Sequence, residues 1–230
     1  MRFDIITIFP RIFDSYFGES ILKRAHADKI IDIRVHNLRD FSRDKHKKVD
    51  DKPYGGGAGM VMRAEPILRA ADAARKNGKK EKTKIVVLSA KGKQFNQKIA
   101  GDWAKKYVRI IFITGRYEGI DERVVKALRA EEISIGPYVL TDGDIGAMAM
   151  ISAIARLVPG VIRPESLSEE SHWNLTFKKE TASGAKRGLE YPHYTRPEVL
   201  VYKNKKYRVP LPLLFGDHKK IQAWRDRHRK

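Results

Sequence analysis

A chain of 230 residues with 42% hydrophobic content is long enough for one good-sized domain with a small appendage. Its 47 Lys and Arg against 28 Asp and Glu leave a formal charge of +19, an excess that calls for a polyanionic partner, nucleic acid ahead of an anionic membrane surface. The absence of cysteine excludes disulfides, thiolate metal sites and thiol nucleophiles and agrees with a cytoplasmic protein, and no stretch offers the roughly 20 apolar residues of a membrane span or the h-region of a signal peptide.

In chain order, the apolar runs Phe3 to Phe9 (FDIITIF) and Ile30 to Val35 (IIDIRV) read as buried strands of a mostly parallel sheet. A charged approach, KHKKVDD, then leads into YGGGAG, four glycines in five positions. No Lys-Ser or Lys-Thr follows them, as a Walker loop requires, and no apolar strand precedes them, as a dinucleotide fingerprint requires. What remains is backbone that takes positive φ or approaches another surface closely, flanked by Asp50, Asp51 and Tyr54. A helix is predicted over Ala64 to Lys76, with Pro66 in its first turn and Asn77-Gly78 as its stop.

The strand Ile85 to Leu88 runs into LSAKG, and helix follows from about Gln94 to Lys106. The strand Val108 to Thr114 runs into TGRYEGIDERV, with a helix over Glu122 to Arg129. A strand over Ile133 to Leu140 belongs to SIGPYVLTDGDIGAMAM. Three glycine-bearing loops at the C-terminal ends of parallel strands predict a small-molecule pocket there. Gly146 to Leu157 is apolar on nearly every side, which predicts a buried or interface helix and oligomerisation through it. Strand and helix alternate, so the expected class is α/β.

Three segments result: a main domain over 1–160, a linker over 161–189 and a small helical module over 190–230. The stretch Val161 to Glu190 carries five residues of each charge, whereas the last thirty residues hold ten Lys or Arg against two Asp. That contrast predicts a basic piece for gripping RNA or DNA behind a neutral connector. In the module, Pro197-Glu198 is expected to open one helix and His218 to Arg229 to form another around Ile221 and Trp224.

Taken together, RDFSRDKHKKVDDKPYGGGAGM, GRYEGIDERV, SIGPYVL, ARLVPGV and PHYTRPEVL resemble the bacterial-type tRNA (guanine-N1)-methyltransferases of the SPOUT class, in the order and at about the spacing of that family. The resemblance covers nearly the whole chain. It implies a mostly parallel sheet with a deep trefoil knot, a small α-helical C-terminal domain, and a homodimer with active sites at the subunit interface. It also implies transfer of the methyl group of S-adenosylmethionine to N1 of the guanine at tRNA position 37, 3′ of the anticodon.

Carried over by position, it assigns Leu88, Ser89, Gly115, Tyr117, Glu118, Gly119, Ile135, Gly136, Tyr138, Leu140 and Gly143 to the cofactor pocket. On the RNA side it points to His46, Asp50, Tyr54 and Gly59 around the glycine loop, with His193 and Arg196 in PHYTRPEVL. Tyr194 is read as docking the small domain. Lys45 to Lys48, Lys203 to Arg208 and the last helix are expected to contact phosphates.

Methylation at N1 needs a base to remove its proton and a cation for the charge that gathers on O6. Arg156 matches the family's catalytic arginine. The family's base is an Asp in a linker Glu-Asp-Ser, whereas this chain reads SLSEESHWN over Ser166 to Asn174. The alignment preferred here puts Glu170 at that position, and an alternative puts Ser171 there and removes the base. The resemblance also makes Mg²⁺ a candidate cofactor near Glu118 and Glu170, while nothing in the sequence alone spells a metal cage. The chain stops at Lys230, short of the family's usual C-terminal extension, so a shortened tRNA-binding domain is expected. Two alternatives stand beside methylation of tRNA: a catalytically silent RNA-binding protein of the same fold, and a methyltransferase acting on another RNA.

Overall fold

The computed structural model describes residues 1–76, 82–163 and 191–228. The chain divides into two compact units, Met1–Pro164 and Glu165–Lys230. In chain order the first unit holds β1 (Arg2–Thr7), α1 (Asp14–Phe17), α2 (Ser20–Ala27), β2 (Asp32–Asn37), β3 (Asp50–Asp51), β4 (Val61–Met62), α3 (Ala64–Lys76), β5 (Thr83–Gln94), α4 (Gln97–Lys106), β6 (Arg109–Ile113), α5 (Glu122–Leu128), β7 (Glu131–Ser134) and α6 (Asp144–Ala155).

Five of these strands form one parallel sheet in the order β2-β1-β6-β5-β7. The central strand β6, RIIFI, is buried at every position, because strands pair on both of its edges and helices cover both faces. One parity of the strands, including Ile6, Ile85, Val87, Ile111 and Ile113, packs with Ile67, Ala70, Ala71 and Ala74 of α3 and Val124 and Leu128 of α5. The other parity, with Phe3 and Phe112 at a ring separation of 6.5 Å, faces the layer in which α4 and α6 touch. Burying an Ile on α3 as completely as Ile67 makes its truncation to Ala cost about 2–5 kcal/mol.

Two strand boundaries differ from the sequence reading. The run Ile133 to Leu140 leaves the sheet at Ser134, where the Ser134 hydroxyl donates to Gly136 O (2.8 Å) and Pro137 can offer no ladder donor. Strand β5 instead runs past Leu88 to Gln94. Its pairing with β7 shifts register between Leu88 and Lys93, so Ser89 to Gly92 bulge out of the ladder. Helix α4 accordingly starts at Gln97, capped by Asn96, whose Oδ1 accepts from Ile99 N (3.0 Å). Asn77-Gly78, the expected stop of α3, lies outside the described residues.

The second unit corrects the expectation of a helix at Pro197-Glu198. The chain there enters an antiparallel hairpin of β8 (Val199–Tyr202) and β9 (Lys205–Arg208), followed by α7 (His218–His228), the helix expected around Trp224. Trp224 is met edge-on by Tyr194 (6.0 Å) and stacked by His228 (4.2 Å), while Arg225 lies over Tyr191 (4.6 Å). Tyr194 thus packs on the helix of its own small unit.

Candidate active site

The loops that leave the C-terminal ends of β6 and β7, together with the Ser89 to Gly92 bulge of β5, surround one cavity of about 530 Å³. That is room for a ligand the size of a nucleoside with an amino-acid tail. Leu88, Ser89, Gly115, Tyr117, Glu118, Gly119, Ile135, Tyr138, Leu140 and Gly143 all line it. Gly136, expected there as well, is absent from the lining and lies against the Tyr138 ring.

The loops are held together by backbone contact. Gly143 N donates to Gly115 O (2.9 Å), and a Cβ on Gly143 would sit 2.9 Å from Leu88 Cβ and 3.0 Å from Gly115 N. Only glycine lets the segment entering α6 run this close to Leu88 and Gly115. The apolar walls from Leu88, Ile135 and Leu140, with backbone amides and carbonyls between them, suit a flat heteroaromatic ring. The donor set and volume therefore fit S-adenosylmethionine.

Side-chain pairs brace the same loops, and these the sequence reading missed. Arg116 Nη2 donates to Asp142 Oδ2 (3.0 Å), tying the GRYEG loop to the TDGD loop, and the guanidinium lies over the Phe9 ring (4.3 Å). Asp142 Oδ1 in turn accepts from Asp144 N at the start of α6 (2.9 Å). Lys91, on the β5 bulge, bridges Glu122 (3.1 Å) and Glu132 (3.4 Å) on the rim. Those carboxylates, Glu122 first, raise the Lys91 pKa. Arg116 stands inside a motif already singled out, but a partner 26 positions away leaves no mark in local sequence.

Asp144 is buried beneath these loops. The Thr7 hydroxyl donates to its Oδ1 (2.8 Å), whereas Oδ2 has no donor, because the nearby Thr114 hydroxyl gives its proton to Ile6 O (3.1 Å). Burial pushes the Asp144 carboxyl above the usual range, and the Thr7 hydroxyl pulls it only part of the way back.

The RNA-side candidates fall on the segment before and within the small β3–β4 ladder. Asp44 accepts from His46 N (2.8 Å) and Lys48 N (3.1 Å), closing a turn that leaves His46 and the neighbouring lysines exposed. Asp50 pairs with Met62 across the ladder, and Tyr54 is fully exposed. The glycines after it hold positive φ, and Gly59 meets the cofactor loop directly: a Cβ there would lie 2.6 Å from Glu118 Oε1. Glu118 N donates to Met60 O (3.0 Å) and Met62 N to Gly119 O (2.9 Å), so the glycine loop is hydrogen-bonded onto the wall of the cavity.

Arg156, in the same unit as the cavity, is not among its lining residues. Arg156 caps the far end of α6, 12 residues after Asp144, which at helical rise is about 18 Å away. His193 lies tilted against the Tyr191 ring (4.7 Å) and Arg196 is exposed, both within the second unit. Glu170 and its neighbours Ser166 to Asn174 lie outside the described residues. Among the described residues no group of three His, Asp or Glu side chains can hold a metal ion.

Comparison with known proteins supplies the remaining finding. The sequence profile of the family described as tRNA (guanine-1)-methyltransferase TrmD matches residues 1–230. A protein of Thermomicrobium roseum named tRNA (guanine-N(1)-)-methyltransferase is 49% identical over 98% of this chain and 77% of its own length. Proteins of the same name from Carboxydothermus hydrogenoformans and Clostridioides difficile are 48% and 46% identical over 98% of the chain, covering 81% and 90% of their lengths. No helix among the described residues is long and apolar enough to cross a membrane. A match that runs through the parallel sheet, the segments around the cavity and the basic C-terminal unit leaves one conclusion: the chain belongs to the tRNA (guanine-1)-methyltransferase TrmD family.

Proposed function

We propose that the chain transfers the methyl group of S-adenosylmethionine to N1 of the guanine at position 37 of tRNA, 3′ of the anticodon. The observation that carries this reading is the convergence of two strand-end loops and the β5 bulge on one cavity, in a chain whose relatives are named tRNA (guanine-N(1)-)-methyltransferase. Bound S-adenosylmethionine supplies an electrophilic methyl group on a sulfonium sulfur, which departs as a neutral thioether.

The chain's own residues do the rest. The cavity walls orient the donor and keep water from the methyl group. Guanine N1 bears a proton at neutral pH, and the Glu170 carboxylate accepts it as N1 takes the methyl group. Negative charge gathers on O6 as that proton leaves, and the Arg156 guanidinium stabilises it.

Arg156 is separated from the cavity of its own chain by the length of α6, which favours a homodimer in which each site is completed by a second copy. The outer stripe of α6 supports the same reading, since Ile145 is 48% exposed and Met148 and Ala149 are not buried. The deep trefoil knot, a cytoplasmic location, a division into methyltransferase domain, linker and tRNA-binding domain, and Mg²⁺ near Glu118 and Glu170 belong to this reading.

The test is to incubate the protein with S-adenosylmethionine and a tRNA bearing guanines at positions 36 and 37, then map the methyl group. N1 of guanine 37 is expected. Cofactor binding without transfer would make the chain a silent RNA-binding protein, and transfer to another RNA would move the substrate. Glu170→Gln should lower the single-turnover rate by about 10²- to 10⁴-fold with cofactor affinity kept. Full activity in that variant would remove Glu170 as the base.

A further inference from the structure

The β8–β9 hairpin of the second unit is built unlike a packing element. Every side chain from Leu200 to Arg208 is exposed, among them Leu200 (55%), Tyr202 (59%) and Tyr207 (53%). A two-stranded hairpin with both faces in water is marginally stable by itself, so these three exposed side chains and Val201 need another reason to be there.

The register sorts them. Leu200 pairs with Tyr207 and Tyr202 with Lys205, which puts these four on one face, while Val199, Val201, Lys206 and Arg208 share the other. The connecting residues Lys203 and Asn204 both hold positive φ (46° and 61°), the geometry of a two-residue hairpin turn that favours Asn-Gly. A lysine at the first of these positions is strained, and it sets an ammonium at the tip, 5.4 Å from the Tyr202 ring centre. No carboxylate occurs from Val199 to Gly216, and among the described residues none pairs with Lys203, Lys205, Lys206 or Arg208. Cations flanking exposed tyrosine rings are complementary to a polyanion that also offers flat faces. Single-stranded nucleic acid has both, whereas a lipid surface would find a Lys-Asn tip at the point of entry.

We infer that this hairpin is a finger that grips an unpaired stretch of the tRNA: Tyr202 and Tyr207 stack on its bases, and Lys203, Lys205, Lys206 and Arg208 hold the adjoining phosphates. The inference rests on tRNA being the substrate. It adds a contact made by stacking, separate from the methylated guanine.

The full chain tests it with three variants. Replacing the four cations by Gln should weaken binding of the unmodified tRNA and flatten the slope of log affinity against log salt by about 3, at 0.7 to 0.9 per phosphate released. Tyr202→Leu with Tyr207→Leu, which keeps apolar strand residues, should weaken binding about 10-fold or more with the salt slope unchanged. Tyr202→Phe with Tyr207→Phe should bind within about 2-fold of the unsubstituted chain, because a phenyl ring stacks as well. In all three, affinity for S-adenosylmethionine and kcat at saturating tRNA should stay put while KM for tRNA rises with the loss of affinity.

Unchanged tRNA affinity in the Gln and Leu variants would overturn the finger, even if the chain methylates guanine 37. A loss in the Leu variant that Phe fails to avoid would overturn stacking. Weakened tRNA binding in a chain that transfers no methyl group would overturn the proposed activity and leave the finger standing.

Discussion

Two buried carboxylates, one within the sheet and one on the helix that meets its C-terminal edge, are treated in opposite ways. Asp4, in β1 towards its N-terminal end, is held by Arg2 Nε (2.8 Å) and His36 Nε2 (2.7 Å), with Arg109 Nε 3.9 Å away. Burial alone would push it up, but the hydrogen bonds from His36 and Arg2 outweigh that and hold Asp4 below the usual carboxylate range. Asp144, under the cofactor loops at the C-terminal end, has hydroxyls for company and one oxygen without a donor, and its carboxyl is pushed up. The first arrangement is what stability requires of a buried charge. The second leaves polar capacity unspent at the end of the sheet where open α/β folds bind their ligands.

The comparison can be broken at its stable end. Asp4→Asn leaves Arg2, His36 and Arg109 facing a neutral amide and should cost about 3–5 kcal/mol of unfolding free energy in urea at pH 7, with the methylation rate per folded molecule kept. Because the folded pKa of Asp4 lies below 3.8, its contribution is present above that pH and lost as pH falls through the folded value. The variant and the unsubstituted chain should therefore converge in stability in acid. A constant gap down to the lowest pH at which both fold would show that the carboxylate charge is not what matters.

At the ligand end the largest effect should come from backbone proximity. Gly143→Ala places a methyl group 2.9 Å from Leu88 Cβ and 3.0 Å from Gly115 N, where no flexible side-chain tip can yield. It should destabilise the fold by about 1–3 kcal/mol and weaken binding of S-adenosylmethionine in calorimetry, since the segments around the cavity must spread. Cofactor affinity equal to that of the unsubstituted chain would show that the cavity does not depend on this contact.

Asp144→Asn sharpens the contrast with Asp4 by its sign. A folded pKa raised above 3.8 means stability that is full below 3.8 and lost as pH rises through the folded value. Removing the titration should leave a variant whose stability, relative to the unsubstituted chain, improves as pH rises from 4 to 8. The trend for Asp4→Asn is the reverse, and parallel trends would mean that the two carboxylates do not differ as described.

The same contrast explains what could be read in advance. Apolar runs such as RIIFI announce central strands because burial on both faces needs no partner to be specified. Glycine-bearing loops after those runs announced the cavity, since parallel strands deliver their C-terminal ends to one edge. What escaped was whatever depends on a distant partner: Arg116 with Asp142, Lys91 with Glu122 and Glu132, and the bulge at Ser89 to Gly92, visible only once β7 fixes the register. The hairpin escaped for another reason. Pro197-Glu198 looks like a helix start, and the turn at Lys203-Asn204 lacks the glycine that would have marked two short strands.

The smallest expected effect is at Lys91. Its ammonium lies between Glu122 of α5 and Glu132 of β7 and clasps that side of the cavity rim, yet its side chain is 65% exposed. Exposed pairs gain little, because water already screens both partners and the lysine loses rotamer freedom in holding two carboxylates. Lys91→Gln should therefore leave the thermal midpoint nearly unchanged and raise the dissociation constant of S-adenosylmethionine by no more than about 5-fold, with the difference fading as salt is added. A larger, salt-independent loss would place Lys91 with Gly143 among the residues that shape the cavity, and the bulge that carries it would then be a working part of the site rather than a consequence of register.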